Sequence, residues 1–308
     1  MWQLLGKAGK RGVIGVPYMW LLVFFALPFL ILLRISVTDM GGGVDPFVSL
    51  AQMQDGVWTL KLKLANYVSI VWDDQRPGEA TIYMQAYATS IRYAALTTLF
   101  CLMIGYPFAY FIARSPERFR ATLLMMIMLP FWTSFLLRVY AWKGILADNG
   151  VLNRLLMFVG LTDAPIHMLY TDVSMLVGMT YVYLPFMVLP LYATLVKMDD
   201  RLLEAAYDLG ASPFKAFWLV TVPLSKAGIV AGSMLVFIPS VGEFVIPSLL
   251  GGAENLMIGR VVWDEMFSSN NWPRASALAA IMILLILVPL AVYYHYSGER
   301  EAQAGQAS

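Results

Sequence analysis

The chain has 308 residues, of which 59% are hydrophobic and 13% carry a formal charge. Soluble domains run at about 45–50% apolar and about 25% charged, so an ordinary soluble enzyme and a disordered segment are both excluded. The 21 basic and 20 acidic residues leave a net charge of +1, which gives nucleic-acid binding no electrostatic footing. The composition is that of an integral membrane protein. Its one cysteine, Cys101, lies in an apolar run and reads as a small buried residue; neither an intramolecular disulfide nor a multi-thiolate metal site is available.

Crossing the hydrocarbon takes about 20 mostly apolar residues. Six stretches qualify, near 13–33, 93–113, 121–141, 174–196, 227–249 and 275–296, and predict an all-α bundle of six transmembrane helices. Segments 1–12 and 297–308 then flank a transmembrane domain over 13–296. Lys7, Lys10 and Arg11 precede the first stretch as they precede a secretory signal. Its 21 apolar residues exceed a signal core and no small-x-small site follows, so the helix is expected to be retained. With the N-terminus inside, segments 1–12, 114–120, 197–226 and the tail hold 11 Lys and Arg in roughly 60 residues. The outer segments 34–92, 138–172 and 250–274 hold 10 in roughly 120. That asymmetry predicts both termini in the cytoplasm. In the outer segment 34–92, turn residues occur at Gly41-Gly42-Gly43, Asp45-Pro46 and Arg76-Pro77-Gly78. The run 59–64 alternates polar and apolar residues, which suits a short half-buried strand or an interfacial segment.

At least nine of the 16 prolines fall in or beside the spans: Pro17, Pro28, Pro107, Pro130, Pro185, Pro190, Pro239, Pro247 and Pro289. Each removes a backbone donor, which membrane helices tolerate where neighbours or a polar cavity satisfy the freed carbonyl. Most read as simple kinks. The fifth span differs, because Pro239, Gly242 and Pro247 surround Glu243, the one acid within any apolar stretch. A carboxylate at membrane depth ordinarily faces a bundle interior or an aqueous path. Glu243 is therefore a candidate for attracting a cation or gating a pathway; the alternatives are a structural partner for a basic group such as Arg138, or an interfacial acid. Phe131, Trp132, Phe135, Tyr140 and Trp142 crowd the third span and its outer end, and Tyr181, Tyr183 and Phe186 lie in the fourth. They fit an interfacial belt, and equally rings that meet ammonium groups on a substrate path. Trp132, Tyr140 and Tyr183 join Glu243 as path candidates.

The segment between the fourth and fifth spans is the most informative. Strong helix formers at 204–209 lead to Gly210, a C-terminal stop, and Ser212-Pro213 then supplies an N-cap with proline at the first helical position. Phe214, Phe217 and Trp218 follow at i, i+3, i+4, and Pro223 stops or bends the helix before the fifth span. Two short helices joined at a glycine elbow are predicted at the cytoplasmic face.

Glu204-Ala205-Ala206, Gly210 and Val220-Thr221-Val222-Pro223 resemble the EAA motif of permease subunits in binding-protein-dependent ABC importers, with Val220 and Val222 where the family has isoleucine and leucine. An unrelated interfacial helical hairpin is the alternative. The stretches 129–142 and 242–247, Pro17-Tyr18 with Trp20, and Met257-Ile258-Gly259-Arg260 are similar to the polyamine branch, the putrescine and spermidine type. The resemblance implies a type I importer permease in a bacterial inner membrane. It also implies an elbow seated on a cytoplasmic ATPase pair, a homologous second permease, an extracytoplasmic polyamine-binding protein and surrounding membrane lipid. Glu204, Ala205, Ala206, Gly210 and Pro223 would couple to the ATPase, with Phe214 and Trp218 anchoring the elbow to the bundle. ATP and Mg would belong to the partner, because this chain has no Gly-x-x-x-x-Gly-Lys-Ser/Thr loop and no cofactor motif of its own. His167 and His295 are too few and too separated for a zinc site, and no nucleophile has a recognisable base, so no catalytic or metal residue is assigned. The competing function is a self-contained ion- or proton-coupled carrier of a small cation, which also uses broken helices and a membrane acid. A membrane-embedded enzyme lacks a catalytic cluster.

Overall fold

The computed structural model describes residues 7–42, 45–54, 57–72, 79–252 and 254–306; Gly43 and the turn expected at 76–78 lie outside them. In chain order the elements are α1 (Lys7–Leu21), α2 (Leu27–Ser36), β1 (Ala51–Gln54), β2 (Val57–Leu60), α3 (Ala65–Val71), α4 (Ile82–Arg114) and α5 (Glu117–Met128). There follow α6 (Phe135–Leu146), α7 (Val151–Phe158), α8 (Asp172–Leu195), α9 (Arg201–Asp208), α10 (Pro213–Ala216) and α11 (Val222–Leu224). The last are α12 (Lys226–Val241), α13 (Val245–Leu250), α14 (Ile258–Trp263) and α15 (Trp272–Gln306). Among the described residues, three helices are long and apolar enough to cross a membrane, or five if each bent pair counts as one span. The sixth predicted stretch is present in α15, whose apolar part is Trp272–Val288.

The chain forms two compact units. The first comprises residues 1–84 and 261–308. Its first span, Val13–Ser36, passes through a π turn at Leu22–Ala26 just ahead of Pro28, which has no N–H to continue the ladder. α2 and α3 pack on α15. Asn66 Nδ2 ties α3 to the end of α2 by donating to the carbonyls of Ser36 and Thr38, both at 2.9 Å. The alternation at 59–64 becomes a strand only as far as Leu60, in an antiparallel hairpin with Ala51 opposite Leu60.

The second unit, 85–260, is centred on α8, more than half of whose most apolar stretch is buried, against a third for α4. α8 packs most extensively on α12. Gly228 and Gly232 make that approach possible. A Cβ on Gly228 would stand 2.6 Å from Thr194 Oγ1, and one on Gly232 would stand 2.8 Å from Met187 Sδ. This is the small-xxx-small packing by which apolar helices associate where no hydrophobic effect drives them together. Met175, Met179, Met187, Val188, Leu191 and Val236 fill the core, with Cys101 fully buried among them and its thiol directed at the Thr180 carbonyl, 3.5 Å away. The third predicted span, 121–141, is not one straight helix. A 3-10 turn at Leu129–Trp132 carries Pro130, Thr133 and Ser134 are extended, and the two arms meet at 89°. The fifth, 227–249, is preceded by a bend of 67° between the α10–α11 arm and α12, and is itself broken where α12 gives way to α13.

Candidate functional site

Two places in the second unit concentrate the residues singled out above. At the elbow, α9 ends in a Schellman arrangement: Gly210 N donates to the Tyr207 carbonyl at 2.9 Å and Ala211 N to the Ala206 carbonyl at 3.0 Å. Gly210 has φ +81°, a conformation that L side chains resist. Ser212 then caps α10, its Oγ accepting from Lys215 N at 3.4 Å, with Pro213 at the first helical position. A π turn at Phe217–Thr221 precedes Pro223, as the π turn in the first span precedes Pro28. Leu203 and Ala216 face inward. Glu204, Ala205, Gly210 and Pro223 face outward, and Ala206 is half-buried. The anchor is not the pair the motif suggested. Phe214 is 72% exposed and Trp218 is also exposed, whereas Phe217 packs edge-on against Tyr106 at 5.4 Å and Tyr110 at 6.1 Å. Leu209, which sequence reasoning passed over, is 89% exposed at the tip of the elbow. Its signal was position, an apolar residue immediately before the stop glycine.

The second place is the gap between α12 and α13. Glu243 is only 9% exposed, and its carboxylate meets four donors. Oε1 accepts from the backbone N–H of Phe244 (3.2 Å), Val245 (3.0 Å) and Ile246 (3.4 Å). Oε2 accepts a short hydrogen bond from the Tyr183 hydroxyl. The acid thus caps donors that the first turn of α13 leaves without intrahelical partners, and the positive end of that helix favours its charge. Its partners are these donors rather than Arg138. Arg138, 9% exposed, lies over the rings of Phe131 (4.7 Å) and Phe135 (6.0 Å), and its Nε and Nη1 have no hydrogen-bond partner. It lines a cavity of about 150 Å3 with Phe108, Phe131, Tyr181 and Pro185. The stretch 257–260 braces the gap. A Cβ on Gly259 would lie 2.4 Å from the Gly242 carbonyl oxygen, and Ile258 N donates to Ser90 Oγ at 2.8 Å. Of the four path candidates, the structure joins Tyr183 to Glu243. Trp132 and Tyr140 are 74% and 55% exposed, as an interfacial belt would be. Phe186 links the two groups of rings, 6.2 Å from Tyr183 and 5.2 Å from Phe131.

Residues 105–299, which include both places, match the family described as binding-protein-dependent transport system inner membrane component. The chain is 36% identical over 292 residues to the spermidine/putrescine transport system permease protein PotB of Haemophilus influenzae, covering 95% of each. Identity to the protein of that name from Escherichia coli is 40% over 216 residues, 70% of this chain and 78% of that one. The fold is similar, with a TM-score of 0.66 over 97% of this chain and 98% of the other, to that of a bacterial ABC transporter involved in the import of the acidic polysaccharide alginate. Sequence identity there is 16%, so that likeness speaks for the fold alone. An elbow followed by a capped break, the matched family and relatives along nearly the whole length converge: the chain belongs to the binding-protein-dependent transport system inner membrane components, as a permease of the ABC importer kind.

Proposed function

We propose that this permease carries polyamines, of the putrescine and spermidine class, into the cytoplasm as one of two homologous membrane subunits of an ATP-driven importer. An extracytoplasmic binding protein delivers the substrate, and a pair of ATPase subunits, holding ATP and Mg, drives the cycle from the cytoplasmic side of a bacterial inner membrane. Both termini face that side. The observation that carries the reading is the elbow. α9 and α10 turn at Gly210 and present Glu204, Ala205, Leu209 and Phe214 outward, while Phe217 ties them to Tyr106 and Tyr110. Apolar side chains exposed at a rigid turn suit a partner surface. A rigid connection to α4 then passes the partner's closure to the bundle.

The substrate class rests on the names of the relatives and on Glu243, whose charge sits at a break in a helix where an ammonium group can be drawn. The test is reconstitution of the chain with its second permease, with and without the ATPase pair and binding protein, followed by labelled putrescine and spermidine. Uptake that requires ATP, the ATPase and the binding protein is the expected result. Uptake by the permeases alone, driven by an ion gradient, would establish the secondary carrier instead.

A further inference from the structure

The loop that follows α13 comes back to the break that holds Glu243. Besides its approach to Gly242, a Cβ on Gly259 would stand 2.7 Å from the carbonyl oxygen of Glu243 itself. Where residues 257–259 sit therefore decides where the Gly242–Glu243 backbone sits. Met257 and Ile258 are fully buried, and Ser90 of α4 accepts from Ile258 N at 2.8 Å. At the start of the loop, Ser174 Oγ of α8 donates to the Leu250 carbonyl at 2.7 Å. Between these two points Asn255 reaches both helices. Its Nδ2 donates to Asp172 Oδ1 at 2.6 Å, and its Oδ1 accepts from the Tyr93 hydroxyl at 2.9 Å. A carboxylate only accepts, so the amide nitrogen has to face Asp172 and the amide oxygen Tyr93. Tyr93 lies on α4, 1% exposed, and Asp172 opens α8. One amide thus fastens the loop to the same two helices that hold its ends.

We propose that Asn255 is a positioning residue for Glu243. With Asp172 and Tyr93 it holds the loop so that Gly259 fixes the backbone of the break and aims the carboxylate at passing ammonium groups. The inference rests on the reading of Glu243 as a charge on a polyamine path. Without the amide, the Tyr93 hydroxyl turns to Asp172, its second acceptor, and the loop loses both tethers. In Asn255→Asp two carboxylates face each other and the donor to Asp172 is gone. Asn255→Asp together with Asp172→Asn rebuilds the arrangement with the roles exchanged, the new carboxylate accepting from Tyr93 and from the new amide.

The test measures labelled putrescine uptake by the complex of both permeases, the ATPase pair and the binding protein, with a melting curve for each variant. The unaltered complex and Glu243→Gln are read first. No uptake in the former, or wild-type uptake in the latter, defeats the underlying reading and this inference with it. Asn255→Asp is expected to lower uptake roughly tenfold, the factor carried by one lost hydrogen bond to a charged group. Adding Asp172→Asn is expected to restore most of it. Asn255→Ala is expected to lower uptake in the otherwise unaltered chain, and by no more than about twofold in Glu243→Gln, where no charge is left to aim. A residue that merely holds the fold gives the full loss in both backgrounds. That result, wild-type uptake in Asn255→Asp, or no recovery in the exchanged pair overturns the proposal and leaves the polyamine reading standing.

Discussion

Replacing Glu243 separates a structural acid from a transporting one, because the geometry predicts different effects of two variants. In Glu243→Gln the Oε1 acceptor remains for the N–H groups of Phe244, Val245 and Ile246. The new amide takes the place of Oε2, and the Tyr183 hydroxyl turns from donor to acceptor to meet it. The break keeps its shape, but the hydrogen bonds lose their charge assistance and the hydroxyl's own proton loses its acceptor, about 1–3 kcal/mol, while the desolvation cost of a buried charge is removed. These offset, so thermal stability is expected to change less than in Glu243→Ala. Glu243→Ala leaves three backbone donors and a buried hydroxyl unmet; with about 1 kcal/mol for a missing cap and about 1–3 kcal/mol for the hydroxyl, it is expected to destabilise by about 2–4 kcal/mol. Transport behaves differently. A charge-assisted contact of about 1.5–3 kcal/mol with a passing ammonium corresponds to roughly a 10- to 100-fold loss of uptake in Glu243→Gln. Labelled putrescine uptake by the assembled complex, beside a melting curve for each variant, reads both quantities. Wild-type uptake in a well-folded Glu243→Gln complex refutes a role for the charge in the substrate path. An unshifted melting curve in Glu243→Ala refutes the capping argument.

At Gly210, no atom lies within 4 Å of where a Cβ would stand, so a side chain meets only the strain of φ +81°, about 1–2 kcal/mol. Gly210→Asn, which tolerates that conformation, is expected to keep most transport. Gly210→Arg is expected to lose transport and substrate-stimulated ATP hydrolysis with membrane insertion intact; full coupled activity in Gly210→Arg would contradict the docking role. Arg138→Met keeps an unbranched side chain, two atoms shorter, in place of one whose Nε and Nη1 are unpartnered, and removes its buried charge. In the isolated chain this is expected to be neutral or stabilising by about 1–4 kcal/mol, offset in part because the cation–π attraction to Phe131 and Phe135 disappears, and a melting curve checks it. A clear drop in melting temperature would show that the rings hold Arg138 more strongly than its unmet donors oppose.

Much of the architecture was written in local features. Apolar runs placed the helices, because covering a membrane is a matter of length and composition. The elbow was legible residue by residue: helix formers, a glycine that takes positive φ, a serine cap and a proline at the next helical position, all acting within a turn or two of chain. Pro223 and the Pro239–Pro247 region announced their bends for the same reason, a missing N–H being a property of one residue. What the sequence left open was every pairing across distance. Only the fold brought Tyr183 to Glu243, 60 residues away, and put Arg138 among phenylalanine rings. It also chose Phe217 over Phe214 as the anchor, since helical spacing names a stripe and the neighbouring helix decides which ring it meets. The bend in the third span and the fit of Gly228 and Gly232 against α8 belong to the same class. Backbone preference and hydrophobicity are decided within a few residues, whereas a contact depends on the angles at every break between its two partners, and only the packed tertiary structure sets those angles.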